Sequence, residues 1–298
     1  MKKALALILT ASLLTGVLTA CGSSKAQTDA AETTTEEAAA EETADTDAQA
    51  ETGDLQVITV AATAVPHAEI LEAAKPILAE QGYDLQITVF DDYVQPNEVV
   101  EAGDIDCNYF QHIPYLNSYN EERGTHLVSV GEIHYEPIGI YAGTESDLSN
   151  IPDGADIAIP NDTTNEARAL LILQDNGIIT LKEGAGIDAT INDIAENPHN
   201  INFVEMEAAQ VSKVLSEVAF AVINGNYALD AGLNAQTDAL VSETSDSLAA
   251  QTYVNVVVVK EGNEDNEGVK ALVDVLKSDD IKKFIEETYE GAVVPFEG

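Results

Sequence analysis

From residue 55 onward, β-rich apolar runs alternate with segments whose apolar residues recur at helical spacing, and that alternation restricts the chain to an α/β architecture. Residues 55–65 are β-rich and end at Pro66. Residues 68–81 carry Ile70, Leu71, Ala74, Ile77 and Leu78 at helical spacing and close at Gly82. Residues 85–90 read as a second strand, 96–102 as a short helix, 105–110 as a third strand, and 113–122 as a helix stopped by Gly124. Residues 127–142 are extended, with Pro137 inside. A second block repeats the alternation: strand 156–160, helix 163–176 before Gly177, helix 208–217, strand 218–224. Residues 252–260 read as a very apolar strand, its apolar run nearly unbroken over 254–259. One or two helices split near Ser278 close the chain over 268–289. Two lobes are expected, with the chain crossing near 138–144 and returning near 251–255.

The first 54 residues are of another kind. Lys2 and Lys3 precede an apolar run over 4–9, then small residues and Leu18-Thr19-Ala20-Cys21. This reads as a secretory signal over 1–20, too short and wrongly flanked for a membrane span, ending at a cysteine that a lipoprotein signal peptidase would expose for lipidation. The alternative is a plain signal peptide with a chance cysteine. Residues 22–54 hold ten Asp or Glu, one Lys and no aromatic residue. Such a segment buries too little apolar surface to offset its ordering entropy, so 21–54 is expected to be a disordered acidic tether behind the lipidated Cys21. Function is then expected outside the cytoplasm, at a membrane surface.

Residues 55–298 hold 43 Asp or Glu and ten Lys or Arg, a formal charge of −33, which argues against nucleic acid and anionic lipid as partners of the body. Cys107 is the only cysteine after residue 54 and reads as a core thiol rather than a nucleophile. Enzymatic signatures are missing. There is no Gly-x-Ser-x-Gly elbow and no phosphate loop, and Gly184-Ala185-Gly186 lacks the third glycine of a dinucleotide fingerprint. The histidines at 67, 112, 126, 134 and 199 show no metal-ligand spacing, so no metal and no cofactor is expected.

Three stretches could carry binding chemistry. In residues 159–168 a strand ends, a polar turn follows and a helix starts, with Thr163 and Glu166 at capping-box spacing. Its N-terminus is expected to present free N–H groups, with Asn165 and Arg168 on one face above it, a suitable carboxylate receptor. The chain has only two arginines, Arg123 and Arg168; the alternative is a surface cation pairing with Glu166. Tyr93, Phe110 and His112 follow or end strands of the first lobe, where α/β sheets collect ligands, and could line a soft pocket that receives a thioether. Alternatively Tyr109 and Phe110 are core and His112 caps the next helix. Asn224 and Asn255 flank strands of the second block and could orient an amine or carboxylate, although Asn-Gly at 224–225 is also a turn signal.

The ordered set Asp92-Tyr93-Val94-Gln95-Pro96-Asn97, Tyr109-Phe110-Gln111-His112-Ile113-Pro114-Tyr115-Leu116, Ile159-Pro160-Asn161-Asp162, Thr164-Asn165-Glu166 with Arg168, Glu196-Asn197-Pro198, Ala221-Val222-Ile223-Asn224 and Gly291-Ala292-Val293 resembles the methionine-binding lipoproteins of bacterial ABC importers, the MetQ/NlpA family. The resemblance spans essentially all of 55–298. It implies a two-lobed, periplasmic-binding-protein-like fold of type II closing over a free amino acid in the cleft between lobes, with lobe 1 over 55–140 plus 252–298 and lobe 2 over 141–251. It implies a substrate-binding protein, not an enzyme, that delivers L-methionine or a related small amino acid to a permease and its ATPase subunit from the extracytoplasmic face, anchored through Cys21. A methionine-containing dipeptide, another apolar amino acid, or a non-transport surface lipoprotein are the alternatives. Carried over residue by residue, Tyr93, Phe110 and His112 would surround the side chain, Arg168 would hold the carboxylate with Asn165 nearby, and Asn224 and Asn255 would fix the head group. Residues 247–252 depart from the shorter approach usual in the family.

Overall fold

The structure is a computed structural model that describes residues 55–244 and 251–297. The signal over 1–20, Cys21, the tether and most of the departure at 247–252 lie outside the described residues.

Two mixed sheets organise the fold. The first has the order β13-β4-β12-β3-β1-β2. Its strands are β1 Gln56–Ala62, β2 Tyr83–Val89, β3 Cys107–His112, β4 Leu127–Tyr135, β12 Val254–Lys260 and β13 Val294–Pro295. β1 pairs in parallel with β2 and β3, while β12 runs antiparallel to β3 and β4. The second has the order β11-β5-β10-β6-β9. Its strands are β5 Gly139–Ala142, β6 Asp156–Pro160, β9 Asn202–Met206, β10 Phe220–Ile223 and β11 Ala239–Ser242. A small antiparallel ribbon joins β7 Thr180–Leu181 to β8 Ile194–Glu196. The chain passes between the two large sheets twice, through Glu136-Pro137-Ile138 and again between Ser242 and Val254.

Helices cover both faces of each sheet. Against the first sheet, α1 Glu69–Glu80 packs on one side with the closing helices, while α2 Gln95–Ala102 and α3 Ile113–Arg123 pack on the other. The pleat of β12 sorts its valines accordingly: Val257 and Val259 join the α1 core, Val256 and Val258 the opposite one. That double coverage explains its unbroken apolar run. In the second sheet, Phe220 and Val222 of β10 face α4 Thr163–Asp175, while Ala221 and Ile223 face α5 Ala208–Val211 and α6 Gly225–Asp230. The chain closes with α7 Glu267–Leu276 and α8 Asp279–Tyr289, separated at Ser278, whose hydroxyl caps α8.

Local differences from the sequence reading have physical causes. The helix expected over 208–217 has only one α turn, after which Ser212–Val214 tightens and the chain turns into β10. β3 starts two residues later than expected and runs on through His112, because Asp106 is drawn off to accept from the amide and hydroxyl of Thr59. Cys107 is a buried core thiol whose ionisation burial pushes up, as its apolar setting requires.

Candidate functional site

Strand ends from both sheets meet at a narrow cavity. β3 delivers Phe110 and His112, two residues apart and so on one face, and α2 is preceded by Tyr93. β6 leads into α4 with Asn165 and Arg168, β10 ends at Asn224, and β12 carries Asn255 near its start. All seven residues singled out from the sequence line this one cavity, together with Gln111, Tyr115, Glu136, Gly225 and Asn226.

One end is aromatic. Tyr93 lies 5.8 Å from Phe110, 5.6 Å from Tyr115 and 4.9 Å from Tyr227, ring centre to ring centre. The Tyr93 hydroxyl donates to Asn226 Oδ1 at 2.6 Å, and Tyr227 donates to the Asp91 carbonyl at 3.1 Å, so the rings are fastened across the two sheets' sides of the cleft.

The other end is polar and more ordered than the sequence suggested. Arg168 is 3% exposed, so it is not a surface cation, and Glu166 is not its partner. Its Nε donates to Glu243 Oε1 at 3.0 Å, and its Nη2 donates to Glu243 Oε2 and, at 2.8 Å, to the Glu136 carbonyl. The guanidinium stacks 4.2 Å from the Tyr253 ring centre. Burial alone would weaken its charge, but Glu243 outweighs this and holds the guanidinium above its ordinary value. These bonds use Nε and Nη2, Tyr135 lies against the same guanidinium, and Arg168 lines the cavity.

His112 does cap α3: its Nδ1 accepts from the Tyr115 N–H at 3.1 Å. Nε2 therefore carries the proton and donates to Asn165 Oδ1 at 3.1 Å. The same oxygen accepts from Asn224 Nδ2 at 2.7 Å. Asn165 Nδ2 in turn donates to Asp162 Oδ1 at 2.8 Å. Asn165 thus spends its amide on holding Asn224. The carbonyl oxygen of Asn224 is buried without a partner. Such an acceptor costs free energy until a donor reaches it.

Below Asn224 lies a buried cluster that the chain spacing hid. His67 and His134 both direct Nε2 at Glu136 Oε1, at 3.3 and 2.7 Å. Their Nδ1 atoms accept from Thr63 at 2.8 Å and Tyr109 at 2.5 Å, and Asn255 Oδ1 accepts from His67 Nε2 at 3.0 Å. Every ring nitrogen in the pair is therefore hydrogen-bonded within the protein. Burial, above all else, pushes His67 down to about 4 and His134 to about 3, so both are neutral at pH 7. Glu136 is raised by burial and opposed by His67, Arg168 and the Asn226 N–H.

The helix N-terminus of α4 is not the open anion receptor expected. Asp162 caps it, accepting from the Asn165 N–H at 3.1 Å. The Thr163–Glu166 box is not formed, because Glu166 accepts from the Ile191 N–H at 2.9 Å and Thr163 donates to Glu122 at 2.8 Å. Glu136, Glu243, Asn226 and Tyr115 were missed. Of these, only Glu136 carried a signal, sitting before Pro137 where the extended run 127–142 breaks into β4 and β5.

A cavity with a guanidinium and an unfilled acceptor at one end, and packed aromatic rings at the other, suits a small zwitterion with an apolar tail. Comparison with known proteins agrees with that chemistry. The sequence pattern of the NlpA lipoprotein family matches residues 58–297. A methionine-binding lipoprotein, MetQ, of Bacillus subtilis is 41% identical over 250 residues, 83% of this chain and 90% of that protein. A lipoprotein of Ruminococcus gnavus has a crystal structure that superposes with a TM-score of 0.80 at 66% identity, covering 81% of this chain and all of that one. A nutrient-binding protein of Burkholderia cenocepacia, solved bound to methionine, superposes at 0.76 with 41% identity, covering 80% of this chain and 99% of the other.

Proposed function

The chain belongs to the NlpA lipoprotein family of substrate-binding proteins, which are not enzymes, and from that premise we propose that it captures methionine outside the membrane and hands it to an ABC permease. The observation that carries the reading is the orphan Asn224 oxygen in one cavity with Arg168, Phe110 and Tyr93. An α-ammonium would donate to Asn224 and face Glu136, the carboxylate would meet the Arg168 guanidinium, and the thioether would lie against Phe110 and Tyr93. Asn255 and His112 would bound the guest, and Asn165 would orient Asn224. The methionine-binding name of the Bacillus subtilis relative and the methionine in the Burkholderia cenocepacia protein support the ligand.

A methionine-containing dipeptide is the second reading. An extension on the amine would run toward Glu136 and Gly225, which pack against each other at the wall of the cavity.

The body closes as lobe 1, which carries the first sheet, swings against lobe 2, which carries the second; the first boundary falls at 136–138 and not at 140, because Gly139 and Ile140 pair with β10, and the guest favours the closed form. Cys21 carries the lipid that keeps it on the extracytoplasmic face, and the permease with its ATPase subunit receives the guest. Native mass spectrometry of the purified protein tests the ligand directly. A retained mass equal to methionine supports the reading; a dipeptide mass, or failure of the emptied protein to bind methionine in calorimetry, rejects it.

A further inference from the structure

We propose that Glu243 is a specificity-determining residue: by cancelling the charge of Arg168 it lets the cleft bind its guest's carboxyl end without demanding that the end be anionic. This deepens the reading of the cleft as an amino-acid site and rests on it. Glu243 meets Arg168 through two guanidinium nitrogens, Nε at 3.0 Å and Nη2. The same carboxylate accepts from the Tyr135 hydroxyl at 2.5 Å and the Ile138 N–H at 3.1 Å. Those two donors flank the first crossing between the sheets, and Glu243 itself opens the second. One carboxylate therefore ties both connecting segments to Arg168, the one arginine or lysine among the described residues lining the cavity, whose guanidinium lies 4.2 Å from the Tyr253 ring centre and 5.7 Å from that of Tyr135.

The consequence follows from charge counting. His67, His112 and His134 are neutral, Arg168 and Glu243 cancel, and Glu136 is the remaining acid. A buried cation with no counter-ion would require an anionic guest; a neutralised one offers only hydrogen-bond donors, from which a carboxamide oxygen can also accept. The substrate class thus extends from α-amino acids to their neutral carboxyl derivatives. Removing the Glu243 charge would leave Arg168 buried and unmatched, so that only an anionic guest could restore the balance.

The test compares L-methionine with L-methioninamide by calorimetry in the wild type, Glu243→Gln and Tyr135→Phe. In the wild type the two dissociation constants should lie within about tenfold, the low end for a hydrogen bond to a charged group. In Glu243→Gln the ratio should widen at least a further tenfold in favour of methionine. Tyr135→Phe removes a neutral donor from the same carboxylate and should leave the ratio unchanged. An unaltered ratio in Glu243→Gln overturns the inference, as does an equal widening in Tyr135→Phe. If Glu243→Gln is recovered unfolded, circular dichroism during ligand titration decides: refolding by methionine and not by the amide supports the inference, and refolding by both or by neither overturns it. Wild type that binds neither compound defeats the amino-acid reading itself, a result distinct from failure of the Glu243 assignment.

Discussion

The two ends of the cleft are stabilised in different ways. At the aromatic end, Tyr93, Phe110, Tyr115 and Tyr227 meet through ring contacts, and their fixed polar atoms are hydroxyls already bonded to Asn226, Tyr93 and Asp91. That end is defined by shape and tolerates small changes in its guest. At the polar end, Arg168 with Glu243, and Glu136 with His67 and His134, form two buried groups of paired polar side chains. Removing a ring there would cost area; removing a charge would leave another one unpaired. The difference predicts that equal-sized truncations at the two ends have unequal consequences.

The largest effect is expected from Arg168→Ala. Methionine affinity should fall by about 2–4 kcal/mol, because the guest's carboxylate would lose its charged donor and face an uncompensated Glu243. Calorimetry measures the loss, and unchanged affinity would remove Arg168 from the site. Phe110→Ala at the other end should cost roughly 1.5–3 kcal/mol of binding, the apolar area of one side chain. It should do so with little change in the preference between methionine and its amide. If Phe110→Ala instead weakened binding more than Arg168→Ala, the contrast between the ends would be wrong.

A third effect separates the ends by pH. Burial, the leading cause in each case, lowers His67 to about 4 and His112 and His134 to about 3. In the unfolded chain a histidine titrates near 6.5, so below that pH the unfolded state binds more protons than the folded one. Stability is therefore flat with respect to these groups above pH 6.5 and is lost as pH falls toward their folded values. Each histidine contributes a slope of about 1.4 kcal/mol per pH unit within its window. Asp162, raised to about 6 mainly by burial, and Glu136, raised for the same reason, bind protons earlier when folded and reduce the loss at lower pH. Urea unfolding at about pH 7.5, 6.5 and 5.5 would reveal the slope, and His134→Gln should flatten it. A slope unaltered in that variant would place the titration elsewhere.

How much of this could be read beforehand depended on how rare each signal was. Arg168 stood out because the chain has two arginines, whereas Glu243 and Glu136 were two acids among 53. β12 was plain from its valine run because both its faces are covered. β9 and β11 were missed, since they are short, half-buried strands with no clean alternation. Tyr93, Phe110, His112 and Asn224 could be proposed from strand ends, but their pairing across the cleft could not. His67 and His134 are 67 residues apart in sequence and meet only because sheet pairing brings β4 beside β12 and the turn after β1 beneath them.

The smallest effects concern how the polar end is built rather than what it binds. Thr163 and Glu166 have the spacing of a reciprocal cap, yet Asp162 takes the role, and the reason is competition: Asp162 reaches the Asn165 N–H, the Asn165 amide and the Thr164 hydroxyl from a single oxygen. Asp162→Ala should thus cost about 1 kcal/mol of stability as a lost cap. It should also weaken methionine binding, because Asn165 would lose the partner that lets its oxygen orient Asn224. Thr163→Ala, whose hydroxyl serves only the exposed Glu122, should stay within about 0.5 kcal/mol and leave binding untouched. Denaturant unfolding and calorimetry on the two neighbouring variants check this pair. Should Thr163→Ala prove the more damaging, α4 would be capped by the box after all and the chain of bonds from Asp162 to Asn224 would not be what fixes the polar end.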